Sequence, residues 1–184
     1  GSWGSTLSLA YAQRHPNAVS ELVLRGIFLL RKKELDWFYQ SGASEIYPDE
    51  WANFLAPIPL EERHDLLHAY YRRLTGEDAE TRLTAARAWS VWEGSTSFLT
   101  PDAKRTIQFG TPEFALALAR IETHYFTNQG FFANEDELLG GIDLIRHIPA
   151  VIVQGRYDVV CPMTTAWELA NRWPEADFRI VTDA

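Results

Sequence analysis

Apolar and polar positions divide the chain into three parts, and the first of them has a mixed helix and strand pattern. The spacing of Leu7 and Tyr11 predicts a helix over residues 6–15, which Pro16 ends. Residues 21–29 form a short apolar run with branched side chains and no helical stripe, which is typical of a buried parallel strand. A helix followed by such a strand indicates an α/β protein.

The second part, residues 30–148, is long, helical in its spacing and poor in strand-like runs. Prolines at several positions indicate breaks between its helices. The predicted helices cover residues 48–54, 61–74, 77–92, 112–126 and 135–145. We interpret residues 30–148 as one helical domain inserted into an α/β core.

The α/β pattern returns in the third part. It predicts a strand over residues 150–155, a helix over residues 163–173 and a second strand over residues 178–182. The predicted fold class is therefore α/β. Residues 1–29 and 149–184 would form a partial core of parallel strands and helices, and residues 30–148 would form the insertion.

Composition excludes several classes of protein. The 184 residues are 46% hydrophobic, which is enough for a packed core, and no apolar run is long enough to span a membrane. A net charge of −8 would repel a phosphate backbone, so we expect no nucleic acid partner. Cys161 is the only cysteine of the chain, which excludes an intrachain disulfide and favours the cytoplasm.

Two positions could carry nucleophilic catalysis. Gly1-Ser2-Trp3-Gly4 fits the last four positions of the Gly-x-Ser-x-Gly nucleophile elbow, in which a serine occupies a tight turn between a strand and a helix. Asp158 follows the predicted strand 150–155, where such folds carry the acid that orients a catalytic histidine. On these residues alone, Ser2 could equally belong to a featureless Gly/Ser terminus.

Metals and cofactors are not indicated by any motif. His64 and His68 are four residues apart on a predicted helix, but the His-Glu-x-x-His pattern and a third ligand are lacking. Gly140 and Gly141 follow no strand, so they do not form a dinucleotide-binding loop. We expect neither a metal nor a cofactor.

Several longer stretches make a resemblance specific: the chain resembles the proline iminopeptidase family of α/β-hydrolases. The matching stretches are GSWGSTLSLAY (1–11), LRGIF (24–28), AWSVWE (88–93), ARIETHYF (119–126) and GRYDVVCP (155–162). They cover almost the whole chain in the family's order.

The resemblance implies a set of catalytic roles. Ser2 would be the nucleophile, the amide of Trp3 would contribute to the oxyanion hole, and Asp158 would be the acid of the triad. Residues 30–148 would be the cap. The family's His-Gly-Gly-Pro-Gly loop and the Gly-His pair with the catalytic histidine lie outside residues 1–184, so we expect this piece by itself to be inactive.

The resemblance also implies substrate contacts. Glu93 and Glu122 would bind the substrate's α-ammonium, Cys161 would lie close to the pocket and confer sensitivity to thiol reagents, and Arg25 would help to order the site. The positions that the family uses around the proline ring are Phe28, Phe38, Tyr39 and Phe126. From the residues alone, the two acids could lie on a solvated helix face and the four aromatic residues could be ordinary core.

The implied function is a serine aminopeptidase that releases N-terminal proline from peptides. Two alternatives stay open: another capped hydrolase that acts on esters, amides or epoxides, and a non-catalytic interaction module with the same fold. An aspartate nucleophile, as in epoxide hydrolases, does not agree with Ser2. The oligomeric state is not predicted.

Overall fold

The first and last parts of the chain supply the sheet. The computed structural model describes residues 1–100 and 103–184. Strands β1 (Leu22–Arg25), β2 (Ala150–Gly155) and β3 (Asp177–Val181) form a parallel sheet in the order β1-β2-β3. Leu22 pairs with Ala150, and Val151 pairs with Asp177. The α/β class expected from the sequence is confirmed.

Helices make up most of the remaining described chain. They are α1 (Trp3–Arg14), α2 (Lys32–Tyr39), α3 (Pro48–Leu55), α4 (Leu66–Thr75), α5 (Ala79–Thr96), α6 (Ala103–Phe109), α7 (Pro112–Thr127), α8 (Glu137–Gly140) and α9 (Met163–Arg172). Within the described ranges, no helix has both the length and the apolar character that crossing a membrane requires.

Local chemistry explains where several helices begin. The Asp65 side chain accepts a hydrogen bond from His68 N at the start of α4, and Asp78 accepts one of 2.7 Å from Thr81 N at the start of α5. Helices α3 and α7 begin with proline, whose missing N–H has no intrahelical acceptor at that position in any case. The predicted helical pattern was correct for these segments, to within a few residues at their ends.

Four segments differ from the sequence-based expectation. The strand expected over residues 21–29 ends at Arg25, because Gly26 adopts a φ of 51° and turns the chain out of the ladder. The helix expected over residues 135–145 is divided into α8 and a 3₁₀ turn, Gly141–Leu144. Helices α2 and α6 were not predicted; in α2, charged residues at the start obscure the apolar pattern of Trp37 and Phe38 near its end.

The described chain divides into two compact units. One contains residues 1–34 and 132–184 and is called the sheet unit; the other, the helical unit, contains residues 35–131. The helical unit is thus shorter than the expected insertion. Residues 132–148 group with the sheet because Leu138, Ile142 and Ile145 are buried in the same cluster as Leu24 and Ile152.

The core of the helical unit is aromatic. Phe54, Tyr70, Trp89 and Trp92 are all fully buried. Phe54 stacks on Tyr70 with ring centroids 4.6 Å apart, and Tyr70 meets Trp89 edge-on at 5.3 Å. These four aromatic side chains therefore pack helices α3, α4 and α5 together.

Candidate active site

Ser2 occupies a strained turn immediately before α1. Its φ of 51° and ψ of −131° lie where residues other than glycine are rare, and its side chain is exposed. Ser2 N donates a 2.8 Å hydrogen bond to Gly26 O, which ties the turn to the end of β1. The hydroxyl is therefore held at the amino end of a helix, where the helix dipole is positive.

The residues on either side of Ser2 fit the tight turn. A Cβ on Gly1 would lie 2.8 Å from both Cγ and the carbonyl oxygen of Arg25, so only glycine allows this approach. Trp3 is the first residue of α1, and its N–H belongs to the first helical turn. This is the location that an oxyanion donor adjacent to the nucleophile requires.

Asp158 lies just past the end of β2 with its carboxyl group held from two directions. Cys161 N donates to Oδ1 over 2.8 Å, and Gln154 Nε2 donates to Oδ2 over 3.1 Å. Burial raises the pKa of Asp158 above its ordinary value, while these hydrogen bonds and the charge of Arg25 act in the opposite direction. The donors fix the orientation of a half-buried carboxylate.

Gly26 lies next to both Ser2 and Asp158. A Cβ built on Gly26 would be 3.5 Å from Asp158 Oδ2 and 3.8 Å from Ser2 N. The structure therefore brings the proposed nucleophile and the proposed acid to the same end of the sheet. The catalytic roles of Ser2, Trp3 and Asp158 stay predictions.

The other sequence-predicted residues of the sheet unit lie around the same turn. Phe28 is buried. Its N–H donates a 3.1 Å hydrogen bond to Ser5 Oγ, and its carbonyl oxygen accepts one of 2.7 Å from Thr6 Oγ1. Cys161 is buried, and Arg25 is exposed at the end of β1 beside Gly1. Their expected contacts with substrate stay predictions.

Glu93 and Glu122 lie together in the helical unit. Their carboxyl groups are close enough to interact electrostatically, and each accepts a hydrogen bond from an aromatic side chain. The Tyr39 hydroxyl donates to Glu93 Oε1, and Trp89 Nε1 donates to Glu122 Oε2 over 2.8 Å. The structure thus brings the two acids predicted on separate helices, α5 and α7, into one cluster.

The environment of this acid pair favours a bound proton. Burial raises the pKa of Glu93, although the bond from Tyr39 opposes the shift. Burial also raises the pKa of Glu122 well above its ordinary value, and the charge of Glu93 raises it further. Because two ionised carboxylates at this distance repel each other, the pair resists the loss of its protons.

Aromatic side chains surround the acid pair. Tyr39 stacks on Trp89 with centroids 4.2 Å apart, and Phe126 lies 5.8 Å from Tyr39. Phe38 lies 4.8 Å from the Tyr39 ring. Phe38, Tyr39 and Phe126 are all buried, so they serve as core in this structure, whatever part they take in binding.

The predicted absence of a metal motif can be compared with the side-chain positions. In the residues that the structure describes, no three or more His, Cys, Asp or Glu side chains are grouped so as to hold a metal ion. His64 Nδ1 lies 2.8 Å from Glu61 O, and His68 Nδ1 lies 3.0 Å from Asp65 Oδ1. These two exposed histidines are paired locally along the chain.

A family comparison agrees with this geometry: the model described as the alpha/beta hydrolase fold matches residues 1–184. This chain belongs to the alpha/beta hydrolase family. Within that family it is similar over its whole length to proteins named proline iminopeptidase. The resemblance stated from the sequence is therefore confirmed.

Three relatives illustrate the similarity. The chain is 62% identical over 184 residues to a probable proline iminopeptidase of Leptolyngbya boryana, 58% over 184 residues to the proline iminopeptidase of Xylella fastidiosa strain Temecula1, and 56% over 185 residues to that of Arabidopsis thaliana. All of this chain is covered in each case, but only 57%, 59% and 49% of the respective relatives. The chain thus spans about half of the length of these alpha/beta hydrolases.

In each unit, one side chain that binds a predicted acid was missed by the sequence analysis. The indole N–H of Trp89 holds Glu122, and the amide of Gln154 holds Asp158. Gln154 could have been found, because it is the polar residue in the otherwise apolar strand β2. Nothing in the local sequence indicated that Trp89 and Glu122, which lie 33 positions apart, would meet.

Proposed function

We propose that the full-length protein containing this chain is a serine aminopeptidase that releases N-terminal proline from peptides. The similarity of all 184 residues of this chain to proteins named proline iminopeptidase supports the proposal. Peptides with N-terminal proline would be its substrates. The single cysteine of these 184 residues suits a cytoplasmic enzyme.

In the proposed reaction, Ser2 Oγ attacks the carbonyl carbon of the N-terminal proline. A histidine outside residues 1–184 takes the hydroxyl proton and passes it to the departing amine, so that the shortened peptide leaves and a prolyl ester of Ser2 remains. Water then hydrolyses this ester by the same route. Asp158 orients the histidine, and the amide of Trp3 stabilises the oxyanion.

The location of Ala184 supports this assignment of Asp158. Tyr157 N donates a 2.7 Å hydrogen bond to Ala184 O, so residue 184 lies beside the turn that carries the acid. A histidine a few residues after Ala184 in the full-length protein would therefore lie close to Asp158. The proposal requires that proximity, because the acid must hydrogen-bond the imidazole.

The observation that carries the proposed substrate class is the Glu93–Glu122 pair. A protonated N-terminal proline has two N–H bonds and one positive charge, and each glutamate can accept one of these bonds. Binding would place a cation beside both carboxylates, which gives each of them a charged partner in an apolar environment. A neutral ester or epoxide would leave this charge unmatched, so the pair favours an aminopeptidase over the alternative hydrolases.

The remaining predicted contacts are retained in the proposal. Flat aromatic walls suit the rigid pyrrolidine ring. We assign the ring to Phe28, Phe38, Tyr39 and Phe126. Cys161 would lie near the bound ring, and Arg25 would order the acid through its charge. The proposal thereby gives bond cleavage to the sheet unit and recognition of the amino group to the helical unit.

A comparison of two substrates tests the proposal on the full-length protein. Proline p-nitroanilide should be hydrolysed, whereas its N-acetyl derivative, which carries no ammonium, should be hydrolysed at least about 100-fold more slowly. Glu93→Gln and Glu122→Gln should each lower kcat/KM for the free substrate by about 10-fold or more. Glu113→Gln, at the exposed start of α7, is the matched control. Equal rates on the free and blocked substrates would contradict the proposal.

A further inference from the structure

Gln154 is a fully buried amide on β2, in a strand whose other side chains are apolar. An amide in such surroundings is unfavourable unless its donors and its acceptor are all used. Here they are. Nε2 donates to Asp158 Oδ2 over 3.1 Å and to Cys161 O over 2.8 Å, and Oε1 accepts from Ile27 N over 2.9 Å.

These contacts also fix which way the amide points. With its ends exchanged, the amide oxygen would face two acceptors, Asp158 Oδ2 and Cys161 O, and the NH₂ group would face the N–H of Ile27. The observed orientation is the only one that gives every group a partner. The donor aimed at Asp158 is therefore constrained by two further hydrogen bonds.

The other end of the amide is connected to the nucleophile. The Gly26 turn interrupts the ladder between β1 and β2, and Gly26 N makes a 3.2 Å bond to Val153 O. The next N–H, that of Ile27, is taken up by the Gln154 side chain. Ile27 forms a parallel bridge with Ser2, and Ser2 N donates to Gly26 O.

We propose that Gln154 is a positioning residue of the catalytic site, which holds the Asp158 carboxylate and the turn that carries Ser2 in a fixed relation. This inference rests on the proposed serine mechanism. Gln154 acts through Asp158 and Ile27 and does not itself contact substrate. Burial raises the pKa of Asp158, and Gln154 supplies one of the hydrogen bonds that oppose this shift.

Two substitutions of Gln154 in the full-length protein separate positioning from packing. Gln154→Met fills a similar volume without hydrogen bonds. Gln154→Glu keeps the shape, and its protonated form can still donate to Asp158 and accept from Ile27, whereas its ionised form repels Asp158. Thr165→Val is the control. It removes a buried hydroxyl of the sheet unit that donates to Glu34 and has no contact with Asp158 or Ile27 through that bond.

The expected signature lies in kcat and in its pH profile. Gln154→Met should lower kcat for proline p-nitroanilide by about 10- to 100-fold with KM nearly unchanged, and it should slow phosphonylation of Ser2 by a fluorophosphonate to a similar degree. Gln154→Glu should regain activity as the pH falls and its side chain is protonated. Thr165→Val should keep the wild-type profile.

Rates are expressed per active site, counted by complete phosphonylation, so a partly unfolded variant does not imitate the effect. A folded Gln154→Met enzyme with wild-type kcat and labelling rate would overturn the inference. If Gln154→Met does not fold, a pH profile of kcat for Gln154→Glu that has the same shape as the wild-type profile would also overturn the inference. Failure of the wild-type protein to label at Ser2 would instead overturn the proposed serine mechanism.

Discussion

The acid pair Glu93 and Glu122 affects stability in a way that depends on pH. In an unfolded chain, both carboxyls titrate near their ordinary pKa of about 4.3. Burial raises the pKa of both in the folded protein. Between the ordinary and the raised values the folded state holds more protons, so the free energy of unfolding falls as the pH rises through that window.

Glu122→Gln should therefore stabilise the protein at high pH while it impairs substrate binding. The glutamine oxygen can still accept from Trp89, and its NH₂ can donate to an ionised Glu93. We expect the variant to exceed wild type by about 1–2 kcal/mol at pH 8, with little difference near pH 4.5. Thermal unfolding of the full-length protein at both pH values measures this.

Glu113→Gln is the control for this experiment, because Glu113 is exposed on the same helix, α7. It should change stability little at either pH. A Glu122→Gln variant whose stability difference from wild type is the same at both pH values would contradict the raised pKa. A variant that is stabilised only at high pH would mean that the native acid is retained at a cost to stability, as expected for a binding residue.

The packing of α5 against α6 depends on a glycine in the last turn of α5. A Cβ at Gly94 would lie 2.7 Å from Cγ of Phe109, and Ser90 Oγ donates to Phe109 O over 2.7 Å. In α1, by contrast, a Cβ at Gly4 would meet nothing within 4 Å. Two helical glycines thus occupy opposite environments.

Alanine substitutions at these two glycines should change stability in opposite directions. Gly4→Ala should stabilise by about 0.5–1 kcal/mol through helix propensity alone. Gly94→Ala gains the same propensity but must displace the Phe109 ring, and we expect a net loss of about 1–2 kcal/mol. Thermal unfolding compares the two variants. Stabilisation by Gly94→Ala would mean that Phe109 yields without strain.

Sequence patterns correctly predicted the helices and strands whose periodicity is strong. The predictions were wrong where contacts between distant parts of the chain determine the end of an element or the unit to which it belongs. Strand β2 has the predicted bounds, and the bounds of α9 differ from its predicted bounds by one residue. The early end of β1 depends on the turn at Gly26, which is held by Ser2 N from another element. The grouping of residues 132–148 with the sheet likewise depends on burial in its core, which periodicity does not encode.

In the candidate site, local motifs likewise indicated the main residues but not the contacts that residues distant in sequence make with them. Ser2 and Asp158 could be proposed because each occupies a characteristic location at the end of a strand or the start of a helix. The contacts that support them come from elsewhere in the chain. Gln154 reaches Ile27, 127 positions away, and Glu93 can meet Glu122 only because α5 and α7 pack together.

The assignment of cleavage to one unit and recognition to the other implies that the two functions can be lost separately. Ser2→Ala should abolish turnover and phosphonylation of the full-length protein, yet bind L-prolinamide with a Kd within about 2-fold of wild type. Glu122→Gln should be phosphonylated by a small neutral fluorophosphonate at a rate within about 2-fold of wild type. Its Kd for L-prolinamide should rise by about 10-fold or more, or roughly 1.4 kcal/mol.

Calorimetric titration with L-prolinamide and the time course of labelling supply the two measurements. Ser8→Ala, on the helix that follows Ser2, and Glu113→Gln are the matched controls, and both should behave as wild type. If Glu122→Gln lost labelling as severely as prolinamide binding, the acid pair would be needed to maintain the nucleophile's turn. Recognition and cleavage would then not be separable, and the ammonium role of Glu122 would have to be withdrawn.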